Sequence, residues 1–257
     1  MSRRCTSAGA ADWRVCREKD RRGYVTLYQY SGMHLIRTVE GLTENPDGSL
    51  AATPETRTTM SDWSGNDQLI QRRVCQGDTL CDAFAIAPTL VKKSSWVYDS
   101  SDRLTHQCEH DVTDAVSSNF SCGGSPLPAG VHRTVYSYCT STDPDCWTGY
   151  LRTIDGPRTD VSDISTLSYY KLTNETGCES NGPCNRSGDL QTVTNALGQV
   201  TTFNRYDRRG RVKRLTDPNG VATEINYDAQ GRVISRRVLG ATPAEDALTT
   251  ISYVPET

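Results

Sequence analysis

His106, Glu109 and His110 stand in the order H-x-x-E-H. On a helix that spacing would set two imidazoles on one face for a zinc ion, with the carboxylate polarising a metal-bound water for peptide hydrolysis. The neighbours read otherwise, because Thr, Val and Ser surround the motif and a strand and turn precede it at Tyr98–Leu104. On a strand, residues 106, 108 and 110 share one side. His106, Cys108 and His110 then become the candidate metal ligands, a set that pairing of Cys108 with Cys122 would exclude. Other chemistry finds little support. The chain has no G-x-S-x-G elbow, and His34, His106, His110 and His132 fall in no triad pattern. Gly123-Gly124-Ser125-Pro126 is followed by no G-K-[ST], so it reads as a turn rather than a phosphate loop. The expectation is therefore no enzyme and no cofactor, with a zinc metalloprotease through His106, Glu109 and His110 kept as an alternative.

Ten cysteines in 257 residues point to an oxidising compartment. They fall into neighbouring pairs: Cys5 with Cys16, Cys75 with Cys81, Cys108 with Cys122, Cys139 with Cys146, and Cys178 with Cys184. Turn formers lie between them, so each pair could staple one loop, although sequence alone leaves connectivity open and free thiols or a metal remain rivals. A secreted or cell-surface location follows from disulfides. Yet the N-terminus MSRRCTSAGAADW has no apolar h-region, so an export signal would lie upstream on a longer protein. No segment reads as a membrane span.

A net charge of −3 gives no global pull toward nucleic acid or anionic lipid, and the basic stretch Arg208, Arg209, Arg211, Lys213, Arg214 carries no nucleic-acid-reading motif. Nucleic acid is not an expected partner. Trp63, Trp96 and Trp147, with Asp and Asn nearby, would suit sugar stacking or would cover a sheet. The sequons at Asn119, Asn174 and Asn185 are read as incidental.

With 35% hydrophobic residues, a mean hydropathy of −0.58, three Phe and twelve Tyr, the chain is poor in core and suited to half-buried pleated surfaces. Self-comparison supplies the organisation. Thr194, Gly198 and Phe203 recur as Thr216, Gly220 and Ile225 at an offset of 22, whereas Tyr206 and Tyr227 are 21 apart. The first copy thus carries one extra residue at Asn204-Arg205, the mark of a β-bulge. Val221, Thr223, Ile225 and Tyr227 alternate with polar residues as a strand does, Asp228 to Gly231 forms a turn, and Asp217-Pro218-Asn219-Gly220 forms another in which Asn-Gly favours tight reversal. A hairpin cannot stand alone, so the units must stack edge to edge. The expected fold is all-β, stacked antiparallel hairpins in part of a large curled sheet, with degenerate Cys-rich repeats over 1–189 and regular ones over 190–257, the last cut short.

The series Tyr206-Asp207-Arg208-Arg209-Gly210-Arg211-Val212, Thr216-Asp217-Pro218-Asn219-Gly220 and Tyr227-Asp228-Ala229-Gln230-Gly231-Arg232-Val233 resembles the YD repeat of bacterial RHS proteins, including wall-associated types, and of the related teneurins. Tyr98-Asp99-Ser100-Ser101-Asp102-Arg103-Leu104 keeps all but the Gly, and 149–170 looks like a further degenerate copy ending in Tyr169-Tyr170. The resemblance implies a repeat segment of a β-shell that encloses a C-terminal toxin, with adjacent RHS repeats and that toxin as partners. An adhesion module that binds glycans or cell surfaces is the alternative. It also implies structural roles. Tyr206 and Tyr227 would pack on neighbouring hairpins with their hydroxyls on polar partners. Gly210 and Gly231 would supply turn geometry, and Arg211 and Arg232 would stack on tyrosine or pair with Asp207 and Asp228. The D-P-x-G-x-x-G signature that flanks self-cleavage in such shells does not occur, so the parent's catalytic parts are expected elsewhere.

Overall fold

The computed structural model describes residues 2–7, 10–77, 90–178, 180 and 182–253, with side chains from residue 15 onward. Two compact units divide the chain, residues 1–134 and 135–257. The change of repeat regularity at 190 falls inside the second unit, where strands on its two sides are paired.

In the first unit, β1 (Ser2–Ser7), β2 (Ala10–Lys19), β3 (Val25–Ser31), β4 (His34–Glu44), β6 (Arg57–Trp63), β7 (Leu69–Gln76), β8 (Leu90–Tyr98) and β9 (Leu104–His110) pair in succession, and the two-residue β5 (Leu50–Ala51) sits beside β4. A five-residue helix, α1 (Ala115–Asn119), interrupts the connection that follows β9, with Asp114 capping its first turn. β10 (Val131–Tyr138) opens the second ladder. It is followed by β11 (Leu151–Asp155), β12 (Ser165–Tyr169), β13 (Leu190–Thr194), β14 (Val200–Tyr206), β15 (Val212–Thr216), β16 (Ala222–Tyr227), β17 (Val233–Val238) and β18 (Ala247–Thr250). These ladders are antiparallel, so the described residues form an all-β series of stacked hairpins, as the repeat requires.

One turn design makes most reversals. At 217–221 the Asp217 N–H donates to the Val221 carbonyl at 3.0 Å and the Gly220 N–H to the Asp217 carbonyl at 3.0 Å, while the Asp217 carboxylate accepts from the Asn219 and Val221 amides at 2.9 Å each. Gly220 alone has positive φ, +82°. The reversal is therefore a three-residue loop ending in a left-handed residue, not the two-residue Asn-Gly turn that sequence suggests, since that turn needs positive φ at both central positions. Asn195, Asp207 and Asp228 open loops of the same kind, and so does Asp99, whose loop puts Asp102 at φ +60° where the others have Gly. A short polar side chain tolerates that region better than most. The degenerate copy therefore keeps the turn without its glycine.

A second regularity lies just before the turn. The register steps by one residue immediately before Tyr30, Trp63, Tyr98, Tyr138, Tyr169, Tyr206 and Tyr227. Such a bulge bends the strand end and re-aims the last side chain. β14 carries one irregularity more: Phe203 pairs with Leu215 and Arg205 with Arg214, so Asn204 is skipped. That is where the repeat comparison finds its extra residue.

Apolar burial differs between the units. The first holds three clusters: Val25, Val39 and Leu42; Cys75, Leu90 and Val112; and Cys108, Cys122 and Val131 with Phe120 and Leu127 against them. In the second, Phe203, Leu215, Thr223 and Val238 form one cross-strand row, and the adjacent row, which faces the other way, is Ser168, Thr192, Thr202, Thr216 and Ala222. Among its described residues the buried ones are Ala222, Thr223, Gly177, Asn185, three loop cysteines and Tyr206. What holds these hairpins together is thus concentrated at the tyrosine-bearing edge.

Candidate functional site

The H-x-x-E-H stretch lies on β9, not on a helix. Alternation puts Glu109 opposite Ser94, whose hydroxyl donates to it at 2.9 Å, while His110 lies on the other face, paired across to Lys93. The carboxylate thus points away from both histidines and cannot serve a metal held between them. Cys108 is bonded to Cys122 with Cα atoms 5.7 Å apart, which removes the sulfur from the His106, Cys108, His110 ligand set. His110 is a buried structural residue. Its Nδ1 meets the Ser117 carbonyl at 2.8 Å and its Nε2 the Ser95 hydroxyl at 2.7 Å, and burial holds its pKa below the ordinary histidine value. Among the described residues no group of three or more acidic, His or Cys side chains could hold a metal.

The repeat residues come together along one edge. Several aromatics at or just past a strand end donate across the sheet to the backbone of the preceding hairpin. The Tyr206 hydroxyl donates to the Leu190 carbonyl at 2.6 Å, Tyr227 to Val212 at 2.8 Å, and Tyr253 to Val233 at 3.0 Å. Tyr169 donates to Leu151 at 2.8 Å and Tyr98 to Leu69 at 3.1 Å. The acceptor in each case is the first residue of the strand before, or of the strand segment just after its turn. Two neighbouring hairpins have no covalent link at this edge, so the hydroxyl latches an otherwise open seam. Tyr206 is buried, 5% exposed, and burial pushes its phenol well above the ordinary tyrosine value.

In the two regular repeats the arginine just after the turn covers the next latch. Arg211 lies with its guanidinium 4.4 Å from the Tyr227 ring centroid and Arg232 lies 4.3 Å from that of Tyr253. Each arginine is also fixed from behind, Arg211 Nε to Asp207 and Arg232 Nε to Asp228, at 2.7 Å in both. Burial works against the Asp207 carboxylate, but the Arg211 and backbone hydrogen bonds outweigh it and hold its pKa below the ordinary value. Tyrosine, aspartate and arginine therefore form a relay in which each turn braces the hairpin after it.

Sequence comparison misses several members of this relay. Trp63 ends β6 and its indole N–H donates to the Leu35 carbonyl at 3.2 Å, so it fills the tyrosine position of Trp63-Ser64-Gly65-Asn66-Asp67-Gln68-Leu69. His34, in the arginine position, stacks on it with ring centroids 4.6 Å apart. Both faces of the expectation that Trp63 serves a sugar are weakened: its polar tip is engaged and one ring face is covered. Tyr150 stands in the arginine position before Leu151 and meets Tyr169 edge-on at 5.1 Å. Only Trp63 carries a readable signal, standing six residues before Leu69 as Tyr206 stands before Val212, with the left-handed Asp67 between.

Two cysteine pairs belong to the same edge. Cys139 N–H donates to the Tyr150 carbonyl and Gly149 N–H to the Cys139 carbonyl, both at 2.8 Å, with Gly149 at φ +89°. That is the closure of the Asp207 turn with residues 140–148 looped out, and Cys139–Cys146 ties the excursion down. Tyr170, Gly188 and Asp189 repeat the closure around a longer excursion that holds Cys178–Cys184, Cα atoms 4.8 Å apart. Cys16 and Cys75 are also disulfide-bonded, whereas the Cys5 side chain and Cys81 lie outside the described residues. Trp96 is half-buried on β8. Trp147, 45% exposed, donates to Ser187 at 2.9 Å with the Lys171 ammonium 5.1 Å from its ring centroid. No helix among the described residues is long and apolar enough to cross a membrane.

Hairpins latched edge to edge by a strand-ending aromatic, in the regular copies under an arginine, define a β-hairpin repeat protein, whose repeated side chains serve the neighbouring repeat. Residues 185–222 and 206–242 match the family model of the RHS repeat, so this stretch of the chain carries RHS repeats. No curated protein matches it. Among solved structures, it matches TcdB2-TccC3 without its hypervariable C-terminal region at 16% identity and TM-score 0.48, over 96% of this chain and 11% of that one. It matches TcdB2-TccC3-Cdc42 at 15% identity and TM-score 0.46, over 97% and 12%. The Photorhabdus luminescens Tc holotoxin pore matches at 16% identity and TM-score 0.45, over 98% and 12%. The chain spans about a tenth of the length of these structures.

Proposed function

We propose that this chain is a stretch of wall in a secreted or surface-displayed RHS container, and that the container encloses a C-terminal toxin domain of the same protein. Adjacent RHS repeats would be its lateral partners. The observation that carries the reading is the relay itself. Tyr206, Asp207, Arg211, Tyr227, Asp228 and Arg232 all spend their polar groups on the turn or on the next hairpin. A hairpin by itself is marginal, and a wall made of nearest-neighbour contacts gains strength with each added unit. The family supplies the cargo, and the disulfide-pinned excursions suit an extracellular setting.

The test is limited proteolysis of the parent protein, with the full repeat region and C-terminal domain present. Enclosure predicts that the C-terminal domain survives protease while its isolated form is degraded, and that opening the seam with Tyr206→Ala exposes it. Equal cleavage of the enclosed and isolated domain would refute the container. Trp147 supports the adhesion reading because nearly half of its surface is open. Saturable binding on a glycan array, lost in Trp147→Ala, would favour that reading instead.

A further inference from the structure

The latch at Tyr206 is covered differently from the two that follow it. Arg211 stands just before Val212 and Arg232 just before Val233, each over the next tyrosine, but the residue before Leu190 is Asp189. A carboxylate in that place cannot stack on a ring face as a cation does. The disulfide loop takes over the task. The Tyr206 N–H donates to the Cys184 carbonyl at 2.7 Å, and the neighbouring Arg205 donates to the carbonyls of Gly177, Cys178 and Ser180. Tyr206 is buried in this arrangement, whereas Tyr227, under its arginine, is half-buried.

The bond that holds this cover is also one that a thiol in solution can reach. Of the four cysteines in the second unit, Cys139, Cys146 and Cys184 are buried and Cys178 is half-buried. Cys178 borders an open hollow of about 430 Å³ between its loop and the β15–β16 hairpin, room enough for a small thiol. The Arg205 guanidinium rests on the Cys178 carbonyl, and a cation close to a disulfide favours the thiolate that must leave during exchange. Cys139–Cys146 is buried at both ends and offers no such approach. Access and cover thus meet in one bond.

We propose that Cys178–Cys184 is a thiol-exchange site whose reduction uncovers the Tyr206 latch. A thiolate of the glutathione class attacks the Cys178 sulfur. A new sulfur–sulfur bond forms there, the Cys178–Cys184 bond breaks, and Cys184 leaves as a thiolate that takes up the proton the attacking thiol shed. A second thiol resolves the mixed disulfide, so two small thiols are oxidised to one disulfide while the protein's bond is reduced to two thiols. The loop then has no cross-link to hold its carbonyls on Tyr206 and Arg205, and the seam rests on the hydroxyl bond to Leu190. An oxidising compartment keeps the seam shut and a reducing one loosens it. The proposal is independent of the container reading, because the cover acts on the seam whether or not the wall encloses anything.

The test incubates the oxidised full chain with reduced glutathione, quenches samples at intervals with an alkylating agent for peptide mass mapping, and follows amide exchange in parallel. Cys178 and Cys184 should be labelled before Cys108, Cys122, Cys139 and Cys146. Exchange across 190–194 should then quicken by about tenfold beyond any change at 233–238, the scale of one buried hydrogen bond. In Tyr206→Phe, whose latch is already open, glutathione should add little at 190–194. Earlier labelling of Cys139 and Cys146, unchanged exchange at 190–194 once Cys178 and Cys184 are alkylated, equal quickening at 190–194 and 233–238, or an undiminished response in Tyr206→Phe would each overturn the proposal.

Discussion

Tyr206→Phe removes one oxygen and leaves the ring. The lost hydroxyl donates to Leu190 at 2.6 Å in a residue that is 5% exposed, so no water stands ready to replace it at the carbonyl. A net intramolecular hydrogen bond contributes about 0.5–1.5 kcal/mol, and leaving a buried partner unsatisfied costs about 1–3 kcal/mol. The expected loss is about 1–2 kcal/mol. Tyr253 makes the same bond at 3.0 Å but is 43% exposed, so Tyr253→Phe should cost about 0.5 kcal/mol or less, because solvent can satisfy Val233. Urea unfolding of both variants gives the difference, and amide exchange across 190–194 should quicken in the first only. The phenol adds a pH signature. Its folded pKa lies above the unfolded value near 10, so the unfolded state releases its proton first as pH rises. Stability from this group is full below about pH 10 and declines above it. Wild type should therefore lose stability more steeply than Tyr206→Phe above that pH. Equal destabilisation by the two Phe substitutions, or an unchanged alkaline slope, would refute the latch as the element that closes the seam.

Three further outcomes follow from the same edge. Replacing Cys178 and Cys184 together by Ser should destabilise the second unit by about 2 kcal/mol, since the bond closes a short loop; reducing and non-reducing thermal melts measure it. Gly231→Ala should cost about 1–2 kcal/mol because Gly231 sits at φ +90°, which an L side chain resists, and denaturant titration reads the shift. Arg211→Ala removes both the Asp207 pair and the cover on Tyr227. Since Asp207 is held below its ordinary pKa partly by Arg211, the wild type should lose stability as pH falls below about 4, and the variant should show a smaller acid slope.

The repeat, its hairpins and the aspartate that opens each turn are legible because their physics is local. An Asp or Asn, two further residues and a left-handed Gly close a loop within five residues, whatever lies beyond it. The inserted Asn204 is readable for the same reason, as a change of count between two landmarks. The degenerate members are less legible. Trp63, His34 and Tyr150 share no residue type with the Tyr and Arg they replace, only a position in a cross-strand contact.

The sequence by itself determined the all-β character, the unit and its turn chemistry, since these depend on alternation and on residues within one turn of each other. Tertiary structure alone decided which carbonyl each tyrosine reaches, because those partners lie 15 to 29 residues away and are selected by strand register. It also decided that Glu109 faces away from the histidines and that the cysteine loops are excursions from an intact turn. A one-residue change of register turns every side chain to the opposite face, so no count along the chain can replace the pairing itself.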